Sequence, residues 1–142
     1  MSTLDGYPSM ITFPLHWGEM DAFEHVNNVS YFRYFESGRL DYFRLVGIDR
    51  YMAEHGQGPI LAHTDCRFRR PLVWPATVCV ASKVDELGSD RFSMSYALVR
   101  QDAPETLVAT GTGKIVWYDY GQGKKAALPQ VIAEAIASLD GL

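Results

Sequence analysis

From Asn27 to about Val46 the chain carries a helix-period apolar pattern wider than a single stripe, and no other segment constrains the fold as much. Phe32, Phe35, Leu40, Phe43 and Val46 recur at three- and four-residue spacing, the period of one helix face. Tyr31, Tyr34 and Tyr42 widen that surface. A helix apolar over so much of its circumference belongs inside a core. Asn27 and Asn28 are good N-cap residues, and Gly47 is a plausible stop.

Strand-like runs surround this helix. Ile11 to Trp17 reads as a first strand, with Pro14 suiting an edge or an end. Gly18 to Val26 is a loop, and Asp49 to Gly58 reads as a short helical turn and loop. Then come Ile60 to Arg70, Thr77 to Glu86, Arg91 to Arg100 and Glu105 to Tyr118, with turn residues between them. In the third of these, Phe92, Met94, Tyr96 and Leu98 alternate with Ser93, Ser95 and Ala97. In the last, Ala109, Gly111 and Gly113 share one face, which permits close approach of another backbone element. Pro129 to Leu139 is a short C-terminal helix. Three joins between the later strands are short, so those strands are expected to be antiparallel neighbours. The expected class is α+β, a five-stranded antiparallel sheet wrapped around one long helix. One sheet edge stays open, which favours pairing between copies.

Composition narrows the function classes. A length of 142 residues favours one domain spanning the whole chain. Apolar residues make up 47% and charged residues 21%, an ordinary globular balance. A net charge of −4 argues against nucleic acid, which needs a basic footprint. No apolar run approaches the ~20 residues of a membrane span. Met1 to Met10 has no basic region followed by an apolar stretch, so no secretory signal is expected. With Cys66 and Cys79 as the two cysteines, a reducing, cytoplasmic setting is expected, with both thiols as small buried hydrophobes.

Chemistry concentrates in His16 to Arg39, HWGEMDAFEHVNNVSYFRYFESGR. Asp21 sits in a loop just before the helix begins. The first helical turn offers N–H groups without intrahelical partners, and the dipole places roughly half a positive charge there. An acyl thioester with its oxygen on those N–H groups and its carbon facing Asp21 is stabilised where negative charge develops. Asp21 then either attacks the carbonyl or deprotonates a water. On the same evidence Asp21 equally serves as a helix cap or a complement to the dipole.

The same residues resemble a known family. Trp17-Gly18-Glu19-Met20-Asp21, His25-Val26-Asn27-Asn28, Tyr31-Phe32-Arg33-Tyr34-Phe35-Glu36 and Arg39 are similar to the signature of the 4-hydroxybenzoyl-CoA thioesterase-like branch of the hot-dog superfamily. Phe68-Arg69-Arg70-Pro71-Leu72-Val73-Trp74-Pro75 looks like that family's strand junction, with Trp74-Pro75 in place of its glycine-containing turn. The resemblance runs from about Thr12 to Tyr118. It implies a hot-dog fold, acyl-CoA hydrolysis, Asp21 as catalytic carboxylate and the Asn28 backbone N–H as oxyanion donor. It also places His25 and Asn27 on the loop lining the site, and it implies a homodimer or homotetramer. Coenzyme A enters as part of the substrate, and no separate cofactor is expected.

Other residues are weaker candidates. His25 either polarises the carbonyl or orients water, or is simply a loop histidine. Glu36 is either a second carboxylate or an ion-pair partner of Arg33 or Arg39 at helical spacing. His63, Thr64 and Asp65 lie on a strand that lines the pocket in the family. Arg67, Arg69 and Arg70 form a basic cluster suited to the phosphates of coenzyme A. No His, Cys or Glu set has metal-ligand spacing, and no Gly-x-Ser-x-Gly motif marks a serine nucleophile. Two other readings keep the fold: a thioesterase for acyl-carrier-protein substrates, and a non-catalytic acyl-CoA binder. A hydratase fits less well.

Overall fold

The computed structural model describes residues 3–142. In chain order these are β1 (Ser9–Pro14), a 3-10 turn (Trp17–Glu19), α1 (Asn28–Leu45), α2 (Ile48–His55), β2 (Gln57–Phe68), β3 (Thr77–Leu87), β4 (Arg91–Arg100), β5 (Ala103–Asp119), β6 (Lys124–Lys125) and α3 (Gln130–Asp140). The sheet runs β1-β3-β4-β5-β2, with β6 paired to β5. All its pairs are antiparallel, and it curls around the helical layer. The expected α+β class therefore holds.

Helix α1 lies across the sheet because its buried face matches gaps in the strands. Tyr31, Tyr34, Phe35, Gly38, Arg39, Tyr42 and Phe43 form that face. A Cβ on Gly38 would sit 2.7 Å from Val80 Cγ1 on β3, so only glycine lets α1 approach this closely. Phe35 stacks on Tyr96 of β4 at 5.2 Å between centroids. The space above Gly111 of β5 is filled by the Phe35 ring, 2.6 Å from where a Cβ would be. The small-residue stripe thus admits the Phe35 ring and, at Gly111, the backbone carbonyl of Asp65, 2.8 Å from the same point. At the far end, the Asp140 carboxylate of α3 accepts hydrogen bonds from Tyr42 Oη and, at 2.9 Å, from Val84 N.

Several expectations need correcting. Strand β2 does not neighbour β3; it crosses to the other edge and pairs with β5. The connection through residues 69–76 buries Leu72 under the sheet, and its carbonyl accepts from Val26 N at 2.8 Å. A short join permits a hairpin but does not impose one. Residues 48–55 form a full helix, α2, held between left-handed Gly47 and Gly56. Phe32 and Leu40 are 37% and 58% exposed in the single chain, so the tyrosines, not these two, complete the buried face. Glu36 bonds neither Arg33 nor Arg39 and stands exposed on α1.

Candidate active site

The loop ahead of α1 is folded by Asp21 itself. Asp21 N donates to His25 O at 2.8 Å, and Met20 bridges Val26. Asp21 Oδ1 accepts from Phe23 N at 2.8 Å and His25 N at 3.4 Å. Such an aspartate turn is a local alternative to helix, and it forces Glu24 to a left-handed φ of 63°. Only one carboxylate oxygen is used. Oδ2 accepts no hydrogen bond from the described residues, so half of the carboxylate stays available.

The start of α1 is equally selective. The Asn27 side chain caps Val29 N at 2.9 Å, and Asn27 O accepts from Ser30 N at 2.9 Å. Asn28 N, the first amide of the helix, has no acceptor among the described residues. Of the amides expected to be free, two are consumed by the cap. Asn28 N, at the residue the sequence resemblance selected, is left without a described acceptor.

Asp21, His25 and Asn28 line one cleft of about 530 Å³. Its other walls include Phe23, Tyr31, Phe68, Arg69, Arg70 and Pro71. Tyr31 is buried and meets Phe68 edge-on at 4.8 Å. Burial first, then the neighbouring Cys66, push the Tyr31 phenol up to about 12, while a backbone contact at Leu72 opposes them. It is therefore a neutral hydroxyl at physiological pH. In the sequence Tyr31 reads as part of the apolar core face of the helix. Its position three residues after Asn28, on the same helix face, is the signal that places it in the cleft wall.

The other candidates divide. Arg69 and Arg70 reach the cleft because both amides bond Val108 O, at 2.9 and 3.1 Å, which turns the chain beside Asp21. Asn27 does not line this cleft. Its side chain is the helix cap, and it borders a separate groove with His16, Glu19 and Arg33. His63, Thr64 and Arg67 also lie elsewhere, along β2. There the Thr64 hydroxyl donates to Thr112 O at 2.8 Å, and His63 Nε2 lies 3.4 Å from Asp65 Oδ2. The outer edge of β2 has no strand partner among the described residues. No described group of three or more His, Cys, Asp or Glu is placed to hold a metal ion. No described helix is long and apolar enough to cross a membrane.

Known proteins resemble this chain in sequence and fold. The model of the thioesterase-like superfamily matches residues 15–136. A Pseudomonas aeruginosa protein provisionally described as a thioesterase is 31% identical, with 92% of this chain and 99% of that chain covered and a TM-score of 0.83. A thioesterase from Thermus thermophilus, solved with coenzyme A and zinc, is 26% identical over 97% of this chain and 98% of its own, at a TM-score of 0.84. An Aquifex aeolicus protein provisionally described as an esterase is 26% identical over 83% of this chain and 89% of its own length.

Proposed function

Because the chain belongs to the thioesterase-like superfamily, we propose that it hydrolyses an acyl-coenzyme A to a free carboxylic acid and coenzyme A, with Asp21 as the reacting carboxylate. One observation carries this reading: a carboxylate oxygen and a helix-start amide, each without a partner among the described residues, line the same cleft.

The thioester carbonyl oxygen accepts a hydrogen bond from Asn28 N. Negative charge then forms at the positive end of α1, where one donor is worth about 3 kcal/mol of barrier. Two routes use this geometry. In one, Asp21 Oδ2 bonds to the carbonyl carbon, the carbon–sulfur bond breaks, and the coenzyme A thiolate leaves. Water then opens the resulting anhydride, releasing the acid and restoring Asp21. In the other, Asp21 takes a proton from a water that attacks the same carbon. His25 stands within the cleft to orient that water.

Arg69 and Arg70 supply the positive rim for the phosphates of coenzyme A, for which a guanidinium fork is suited. The relative crystallised with coenzyme A supports that ligand class. The open β2 edge invites a second copy of the chain, which would bring His63, Thr64 and Arg67 into an interface. The reading is tested by free-thiol release from a panel of aliphatic and aromatic acyl-CoAs. Wild-type protein should turn over at least one member, and Asp21→Asn should lose about 100-fold or more in kcat while circular dichroism is unchanged. An Asp21→Asn variant with wild-type rates would remove Asp21 from the reaction.

A further inference from the structure

A second cleft, of about 440 Å³, lies beneath α1 and α2 and shares no lining residue with the Asp21 cleft. Its size falls in the roughly 300–1,000 Å³ range of small-molecule sites. Leu40, Phe43, Ile48, Met52, Leu61 and Ile115 give it an apolar wall. One further lining group is Arg39, only 7% exposed. Eleven residues separate Arg39 from Asn28 on α1, so the two sites stand roughly 16 Å apart along the helix axis.

The state of that guanidinium is unusual. Arg39 Nη1 donates to Tyr96 Oη at 3.1 Å, and the group lies 5.8 Å from the Tyr96 ring centroid. Among the described residues it forms no ion pair and no other hydrogen bond. The Nε–Nη2 edge is therefore without an acceptor. These nitrogens are not among the fully enclosed unsatisfied atoms, which are Tyr34 Oη and Ser82 Oγ in the described chain. They keep a path to solvent, and the cleft is the space Arg39 lines. A cation held out of water without a counter-charge is costly, and a planar N–H edge is the complement of a carboxylate. Glu36 and Asp49 also line the cleft, but neither comes within ion-pair distance of Arg39. Both are exposed, so water and salt screen them.

We infer that this cleft binds an amphipathic carboxylate, its two oxygens on the Nε–Nη2 edge of Arg39 and its apolar body against the α1–α2–β2 wall. One source fits this geometry: a free carboxylic acid, since an octanedioyl chain is too short to hold its thioester at Asn28 and its far carboxylate on Arg39, roughly 16 Å away. The assignment does not depend on the chain being a hydrolase, because its test is binding alone.

The experiment measures calorimetric binding of octanoate and of neutral octanamide to the full chain. Octanoate should bind at least about tenfold more tightly. Arg39→Gln should erase that difference, and Met52→Trp, a partly exposed residue of the cleft wall, should weaken both ligands with the melting temperature unchanged. If Arg39→Gln does not fold, Arg39→Lys, which keeps charge but not the fork, should narrow the difference. Equal affinity for the two ligands, no binding of either at millimolar concentration, or indifference to Met52→Trp would overturn the inference.

Discussion

Replacing Asn28 by proline removes the amide hydrogen from the candidate site and, apart from the exposed Asn28 side chain, leaves almost everything else in place. Asn28 is the first residue of α1, the position where proline is best tolerated, because its missing N–H has no intrahelical acceptor. The preceding Asn27 has φ −61° and ψ 138°, the extended conformation that a following proline demands. The Asn28 side chain is exposed and makes no hydrogen bond, so stability should change by no more than about 0.5 kcal/mol. Catalysis should not be spared. If Asn28 N holds the carbonyl oxygen, losing this donor costs about 2.7–4 kcal/mol, or 10²–10³ in kcat. Asn28→Ala keeps the amide and should stay within a few-fold of wild type. The assay is thiol release under saturating acyl-CoA, with melting temperatures measured in parallel. Wild-type kcat in Asn28→Pro, or equal losses in both variants, would refute the oxyanion assignment.

Three further outcomes are expected. Gly111→Ala should destabilise the protein by about 1–3 kcal/mol in urea unfolding, because the new Cβ lies 2.6 Å from the Phe35 ring and 2.8 Å from Asp65 O, a backbone atom that cannot swing aside. Gly18→Ala, with nothing within 4 Å, should be neutral within about 0.5 kcal/mol. Burial, then the Asp65 carboxylate, push the Cys66 thiol up to about 11 from 9.0. The unfolded thiol ionises first, so its contribution to stability is complete below pH 9 and is lost as pH rises through 11. Cys66→Ala should therefore flatten the fall of the urea midpoint across that window, and an unchanged slope would contradict the assignment.

Legibility in the sequence followed the range of the interactions. Strand β4 has the bounds its alternation predicts, because Phe92, Met94, Tyr96 and Leu98 face one core. Asp21 and Asn28 were readable because the aspartate turn and the helix start are local devices. Asn27 belongs to the same tetrapeptide, yet its side chain serves the cap and not the cleft, a choice that side-chain direction makes and composition does not reveal. Phe68, Arg69, Arg70 and Pro71 reach Asp21 only because β2 pairs with β5 and the following segment crosses beneath the sheet. That crossing is a long-range event, and loop length carries no trace of it. In the sequence, helix α2 reads as a short helical turn because its eight residues offer barely two turns of periodicity, although Gly47 and Gly56 bracket it. The strand β6, two lysines long, has no pattern to read. Arg39 was visible only as the end of a motif; its burial without a counter-charge is a fact of packing.

The central claim is that a thioester carbonyl sits between the free amide of Asn28 and the free oxygen of Asp21. A crystal structure with an acyl-CoA analogue, in which a methylene replaces the thioester sulfur, measures this directly. The account predicts the ketone oxygen about 2.7–3.1 Å from Asn28 N and its carbon about 3–3.5 Å from Asp21 Oδ2, or one water away. A ketone bound with its oxygen on any other donor, and Asp21 turned from it into bulk solvent, would contradict the account.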